Sequence, residues 1–194
     1  MTTDTVDIIA GVTPELDALR RRRPVTREQL QASFDALFHP VSVAHVSQVE
    51  RELVAAFATR LAGDADATGT FYADRALAAD SSRAAIVIAE AAEAAVSGPF
   101  GVYTEAGLQA ENTDGERYLP SAAAADALGE RLAAALAHTH LLVFRPREAS
   151  ASDIERLLDA GWSADGVVTL SQLVSFLAFQ QRVVAGLRVL GAAA

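Results

Sequence analysis

Alanine fills 42 of the 194 positions, against twelve glycines and six prolines. Alanine is the best helix former and glycine and proline are the worst, so a chain of this kind folds into helices. A turn-rich β fold is disfavoured. Hydrophobic residues make up 51% of the chain and charged residues 21%, which supplies a sizeable core and excludes wholesale disorder. The length suits one domain, since domains run to about 100–200 residues. No segment alternates with period two over any length, so the expected fold class is all-α.

The charge pattern and the missing residue types narrow the chemistry. All 16 basic residues are arginine, against 25 acids, for a formal charge of −9. Nucleic acid and anionic membrane surfaces are therefore disfavoured as partners, because binding phosphate needs a cationic surface that releases counterions. No uninterrupted apolar run approaches the roughly 18–20 residues of a membrane span. The opening MTTDTVDIIAGVTPELD carries acids where a signal peptide carries positive charge. A soluble, cytoplasmic protein is expected. With no cysteine, disulfides, thiolate metal sites and thiol nucleophiles are excluded. There is no lysine for a Walker loop, and no G-x-G-x-x-G, G-x-S-x-G or H-E-x-x-H.

Capping signals predict the helices. Thr26-Arg-Glu-Gln29 and Ser47-Gln-Val-Glu50 fit the capping-box pattern. The first predicts a helix to about Phe38, where Pro40 pushes the preceding residue out of the α region. In the second, Leu53, Val54, Phe57 and Leu61 form a core-facing stripe that ends at Gly63. Thr70 is expected to cap a helix through Tyr72, Ala76 and Leu77, and Ser81-Ser82 to cap AAIVIAEAAEAAV. Residues 98–120 hold Gly98, Pro99, Gly101, Gly107, Gly115 and Pro120 without periodicity. A loop that long is usually functional or packed on a partner. Further helices are expected over Ser121 to about Ala137, from Ser150 or Ser152 to Gly161, and from Ser163 to about Leu190. The last is apolar over more than one stripe, which predicts burial on several sides, part of it against another subunit. Residues 1–25, with the run Arg20 to Arg23, read as an N-terminal arm, and 26–194 as a single helical domain.

Few residues offer reactive chemistry. His138-Thr-His140 resembles a metal pair, but residues two apart on a helix point about 200° away from each other and cannot share an ion. A role at a helix end, capping carbonyls or packing, is expected instead. His39 and His45 flank Pro40 and read as structural. Glu90 and Glu93 share a helix face; buried together, one would be raised in pKa and serve as acid or base. The plainer reading is a solvated strip with Arg83. Arg182, beside Gln180 and Gln181, either binds an anion or pairs with a carboxylate across an interface. Trp162 reads as a packing anchor.

Against this background the C-terminal third has a recognisable look. His138 to Ala192 resembles the alkylhydroperoxidase and carboxymuconolactone decarboxylase superfamily, closest to its peroxidase-related members. The similar elements are Asp153 leading into Leu157-Leu-Asp-Ala-Gly-Trp162, then Leu170-Ser-Gln-Leu-Val174, Phe176, and Phe179-Gln-Gln-Arg182-Val183. Upstream, Val49-Glu-Arg-Glu52 resembles the signature opening that family's core helix. The resemblance spans roughly residues 35–192 and implies an AhpD-like helical bundle that assembles into homo-oligomers.

The peroxidases of that superfamily use C-x-x-C followed by a histidine, helped by a glutamate on the preceding helix. Laid on this chain, the two cysteine positions fall at Ala67 and Thr70, and the histidine at Ala73 or Asp74. None is retained, whereas Glu50 and Glu52 are. The resemblance thus implies a cysteine-less member that is no thiol peroxidase. It would act as a binding or partner subunit, for a small hydrophobic ligand or a cysteine-bearing paralogue. No cofactor or metal is expected. The alternative is a thiol-independent enzyme of the decarboxylase type, using Glu50, Glu52, Glu90 or a histidine for proton transfer. Any remaining site is expected at Glu52, Thr70 and Asp74, lined by Ala67–Asp74 and closed by part of 98–120. Thr70 and Asp74 lie four apart, on one helix face.

Overall fold

In the computed structural model, which describes residues 4–61 and 67–192, the chain forms ten α-helices and no strand among the described residues. Among the described residues the one β-type pairing is a bridge between Gly101 and Thr113. The helices are α1 (Thr5–Ala10), α2 (Pro14–Arg20), α3 (Pro24–Phe38), α4 (Gln48–Arg60), α5 (Ala67–Ala79), α6 (Ser81–Ala94), α7 (Ala122–Leu128), α8 (Glu130–Phe144), α9 (Ala151–Asp159) and α10 (Ala164–Ala192).

Helix α4 is the axis of the fold. Its capping box forms as the sequence predicts, with Ser47 and Glu50 bonding reciprocally. Every residue from Arg51 to Thr59 is buried, because α5, α6, α8 and α10 surround it. Its Arg51 donates to Val46 O at 3.2 Å and to Leu37 O at 2.7 Å. Those bonds tie the end of α3 to the start of α4.

Several boundaries depart from the sequence reading. Helix α3 starts at Pro24, with Arg23 at the cap and no side-chain cap bond. Proline at the first helical position, preset in φ and needing no donor, replaces the Thr26 box. Asp80, not Ser81, caps α6 through Arg83 N at 3.0 Å. The helix expected from Ser121 to Ala137 is broken at Gly129, whose φ of 82° only glycine adopts readily. The second piece, α8, continues to Phe144, so His138 and His140 sit within a helix. The expected end at Gly63 falls outside the described residues.

The N-terminal segment is not a loose arm. Val6 and Ile9 belong to the core, and α1 lies against α3, α5 and α10. Asp4 caps α1 and also pairs with Arg20 and Arg27. Arg20 and Arg27 both reach Asp7 as well, and Arg27 holds Asp17 at 2.7 Å. Arg20 from α2 and Arg27 from α3 thus tie those helices back to α1.

Helix α10 is long and apolar enough by length and composition to cross a membrane. Its inward residues, among them Leu170, Leu177 and Leu187, pack on other helices of the chain, and 39% of that apolar stretch is buried. Phe176 is among these buried residues, whereas Phe179 is 49% exposed.

A candidate ligand cleft beside helix α8

The site expected on α4 and α5 is packed solid. Glu52 is buried and receives both Nε (2.9 Å) and an NH2 nitrogen (2.5 Å) of Arg75, with Gln48 Nε2 adding 2.7 Å. The Arg75 guanidinium lies over the rings of Phe34, Phe38 and Phe71 at 5.2–5.7 Å. Tyr72 stacks on Phe38 and donates to Gln180 Oε1 at 2.6 Å. Glu52 is therefore neutralised and boxed in by aromatic rings. Thr70 and Asp74 sit on the outer, exposed face of α5. The structure does not bring the three together around one space, and the loop 98–120 closes a different one.

The other carboxylates offered for acid–base work are also occupied. Burial alone would raise Glu50, but Arg131 at 2.6 Å and the Ser47 bonds hold it below the usual carboxylate range. Burial of Glu90 is likewise outweighed by Ser121 and by Tyr118 at 2.7 Å. Glu93 is exposed, and Arg83 pairs with Asp80 rather than with Glu90. Glu50 and Glu90, held by these donors, stay ionised and are poor proton donors near neutral pH.

Open space lies instead between α7, α8, α9 and residues 117–120, in a cleft of about 1050 Å³. Its floor exists because α8 carries Ala133, Ala134 and Ala137 on that side, where larger residues would fill it. Leu141 and Leu157 extend the apolar wall, and Tyr118, Leu119 and Pro120 close one side. Tyr118 is fixed there by its bond to Glu90 and by ring contacts with Phe57 and His140, centroids 5.2 and 5.3 Å away. Arg145 anchors the end of the long loop by donating to Gly115 O and Glu116 O. Its charge is met by Glu148 at 2.7 Å, which also takes Arg117 at 2.6 Å.

Both histidines of α8 line this cleft and both are buried. Burial lowers the pKa of each, so the rings are neutral at pH 7. His140 is packed between Tyr118 and Phe144. His138 has Nε2 at 3.5 Å from Ser171 Oγ, while its Nδ1 has no hydrogen-bond partner among the described residues. Asp153 faces it from α9, already holding Ser150 and Arg156.

This trio of serine, histidine and aspartate is not a nucleophile. The Ser171 hydroxyl donates to Val167 O at 2.9 Å, and Ser171 does not line the cleft. Among the described residues no group of three or more histidines and carboxylates converges as a metal would need. His39 stays exposed at the end of α3, with Asp35 3.6 Å away. His45, also exposed, bonds Ser163 Oγ at 2.9 Å. Trp162 is a packing anchor, buried under Arg131 with its Nε1 bonded to Arg131 O at 2.8 Å. Arg182 is exposed and donates to Ala178 O.

The sequence reading missed the cleft. Two signals for it were present: small residues at helical spacing along α8, and the long aperiodic loop. Only the tertiary structure lays one across the other. Compared with known proteins, the chain matches no protein-family model, and no curated protein is significantly similar to it.

Proposed function

We propose that this chain is a binding protein for a small, largely apolar molecule, held in the cleft of α7, α8 and α9, and that it is a cysteine-less relative of the superfamily it resembles. One contrast carries the reading. The site expected from the resemblance does not form, since Glu52 is held by Arg75 beside aromatic rings while Thr70 and Asp74 face outward, whereas the α8 cleft is open and its alanine, leucine and tyrosine side chains are joined by charged groups at its edges. Ligand sites are commonly clefts of about 300–1,000 Å³, mainly apolar with a few fixed polar groups. Catalysis is disfavoured because Glu50, Glu52 and Glu90 are each held by donors.

Binding of a neutral apolar dye, followed by fluorescence, tests this. The intact chain is expected to bind it saturably, and Ala137→Trp, which fills the floor, to abolish binding without changing the helical circular dichroism. Unchanged dye binding in that variant would place the ligand elsewhere. The same preparation is expected to show no dithiol-dependent hydroperoxide turnover, since neither sulfur of such a cycle exists.

A further inference from the structure

One face of α10 stays outside the chain's own packing. Its exposed positions 168, 172, 175, 179, 182, 186 and 189 step alternately by four and three residues, a stripe about 32 Å long. A solvated helix face of that length ordinarily carries charged residues. This one carries Val168, Phe179, Gly186 and Val189, two neutral polar residues, and Arg182 as its one charge.

Gly186 adds a second observation. It lies in the interior of the helix on an exposed face, where glycine costs about 1 kcal/mol relative to alanine. A Cβ placed there would meet nothing within 4 Å. The single chain therefore makes no use of a glycine at this position, whereas the close approach of another helix does.

The order of residues along the stripe is self-complementary. When a second α10 lies antiparallel, with the two-fold axis between residues 178 and 179, Val168 meets the partner's Val189 and Gln172 meets the partner's Gly186. Phe179 packs on the partner's Phe179, and Ser175 meets the partner's Arg182. The Ser175 hydroxyl donates to Ser171 O at 2.8 Å, so outward it only accepts. Arg182 spends one N–H on Ala178 O and has others to give. Charge selects the direction. In a parallel pair each Arg182 would face its own copy, and no acid follows Asp165 in α10 to compensate. In the antiparallel pair the two arginines stand about 10 Å apart along the axis, roughly a Debye length.

We propose that two copies of this chain pair antiparallel along α10 in a two-fold dimer centred on Phe179, with Gly186 receiving Gln172 and Arg182 donating to Ser175 across the seam. Such an isologous contact closes at two copies. A seam about 32 Å long and 10 Å wide is small for a specific interface, so the dimer dissociates on dilution. The pairing is independent of the α8 cleft.

Sedimentation equilibrium of the full chain is expected to show a mass rising with micromolar concentration from 20.3 kDa toward twice that value. Gly186→Leu enters open space in the single chain. It is expected to keep the helical circular dichroism while weakening the dimer about tenfold or more, because the added side chain overfills the seam. Since the chain has no cysteine, single thiols report the direction. Under mild oxidation Val168→Cys and Val189→Cys chains, mixed, are expected to cross-link to each other and neither to itself, as a disulfide needs Cα atoms within about 7 Å. Self-linking of either variant means a parallel pair and overturns the proposal, as does an unchanged dimer affinity in Gly186→Leu. A mass of one chain at every concentration also overturns it. If that monomer floats with neutral phosphatidylcholine vesicles, the stripe covers a lipid surface instead.

Discussion

Arg75 illustrates what one residue decides. Its side chain turns a buried carboxylate into a stabilised pair and fills the space between three phenylalanines. Removing one partner of a buried pair leaves the other uncompensated. Arg75→Met is therefore expected to destabilise the fold by about 3 kcal/mol in urea unfolding. The double variant with Glu52→Leu is expected to recover most of that loss, since no unpaired charge remains. A double variant as unstable as the single one would show that the pair contributes by packing alone. The histidines act at the same scale. The pKa values of His138 and His140 lie below 6.5 in the folded chain because burial disfavours the imidazolium. As pH falls below about 6.5 the unfolded chain takes up protons that the folded chain refuses, so stability drops. Glu50 and Glu90, lowered from 4.5, lose their contribution only below that range. Between pH 7 and 5 the thermal midpoint is expected to fall, and His138→Gln to flatten the slope.

At the scale of the element, α1 and α2 depend on charge more than on length. Neither is long enough to be stable alone, since isolated helices below roughly 12 residues are marginal. Apolar contacts of Val6 and Ile9 dock α1 on the core, and the Arg20 and Arg27 bridges fix its angle to α2 and α3. Arg20, 8% exposed, touches both Asp4 and Asp7. Arg20→Ala is expected to raise amide hydrogen exchange through residues 5–20 by at least tenfold while α4 and α10 stay protected. Uniform acceleration across all helices would instead mean that the N-terminal pair unfolds only with the whole chain.

For the whole molecule, the homo-oligomer expected from the sequence remains a proposal, and its candidate surface is now narrower. The outer strip of α10 exposes Val168, Phe179, Val189 and Leu190, whereas Phe176 is spent inside the chain. If a second copy covers this strip, sedimentation equilibrium at micromolar concentration gives a mass above 20.3 kDa. Phe179→Asp is then expected to return the monomer with its fold intact, because the site is exposed in the single chain. Phe176→Asp is expected to unfold the chain instead, since burying an unpaired carboxylate is costly. A native mass of one chain would remove the oligomer.

Composition and helical spacing by themselves determined that this chain is all-α, where α4 begins and that Leu53, Val54, Phe57 and Leu61 enter the core. Those properties are local: propensity, a capping box four residues long, and apolar repeats at three and four positions. The boundary at Gly129 was harder to read, because Ala122–Leu128 and Glu130–Phe144 are equally good helices and only the backbone angle separates them. The fate of the carboxylates was decided by tertiary structure alone. Glu52 meets Arg75 across 23 residues, Glu90 meets Ser121 across 31, and Glu50 meets Arg131 across 81. A sequence shows that each is charged, but whether it is free to act depends on which arginine or hydroxyl the packing carries to it. The cleft has the same origin. It is a space left between helices, and no residue encodes a space until its neighbours are in place.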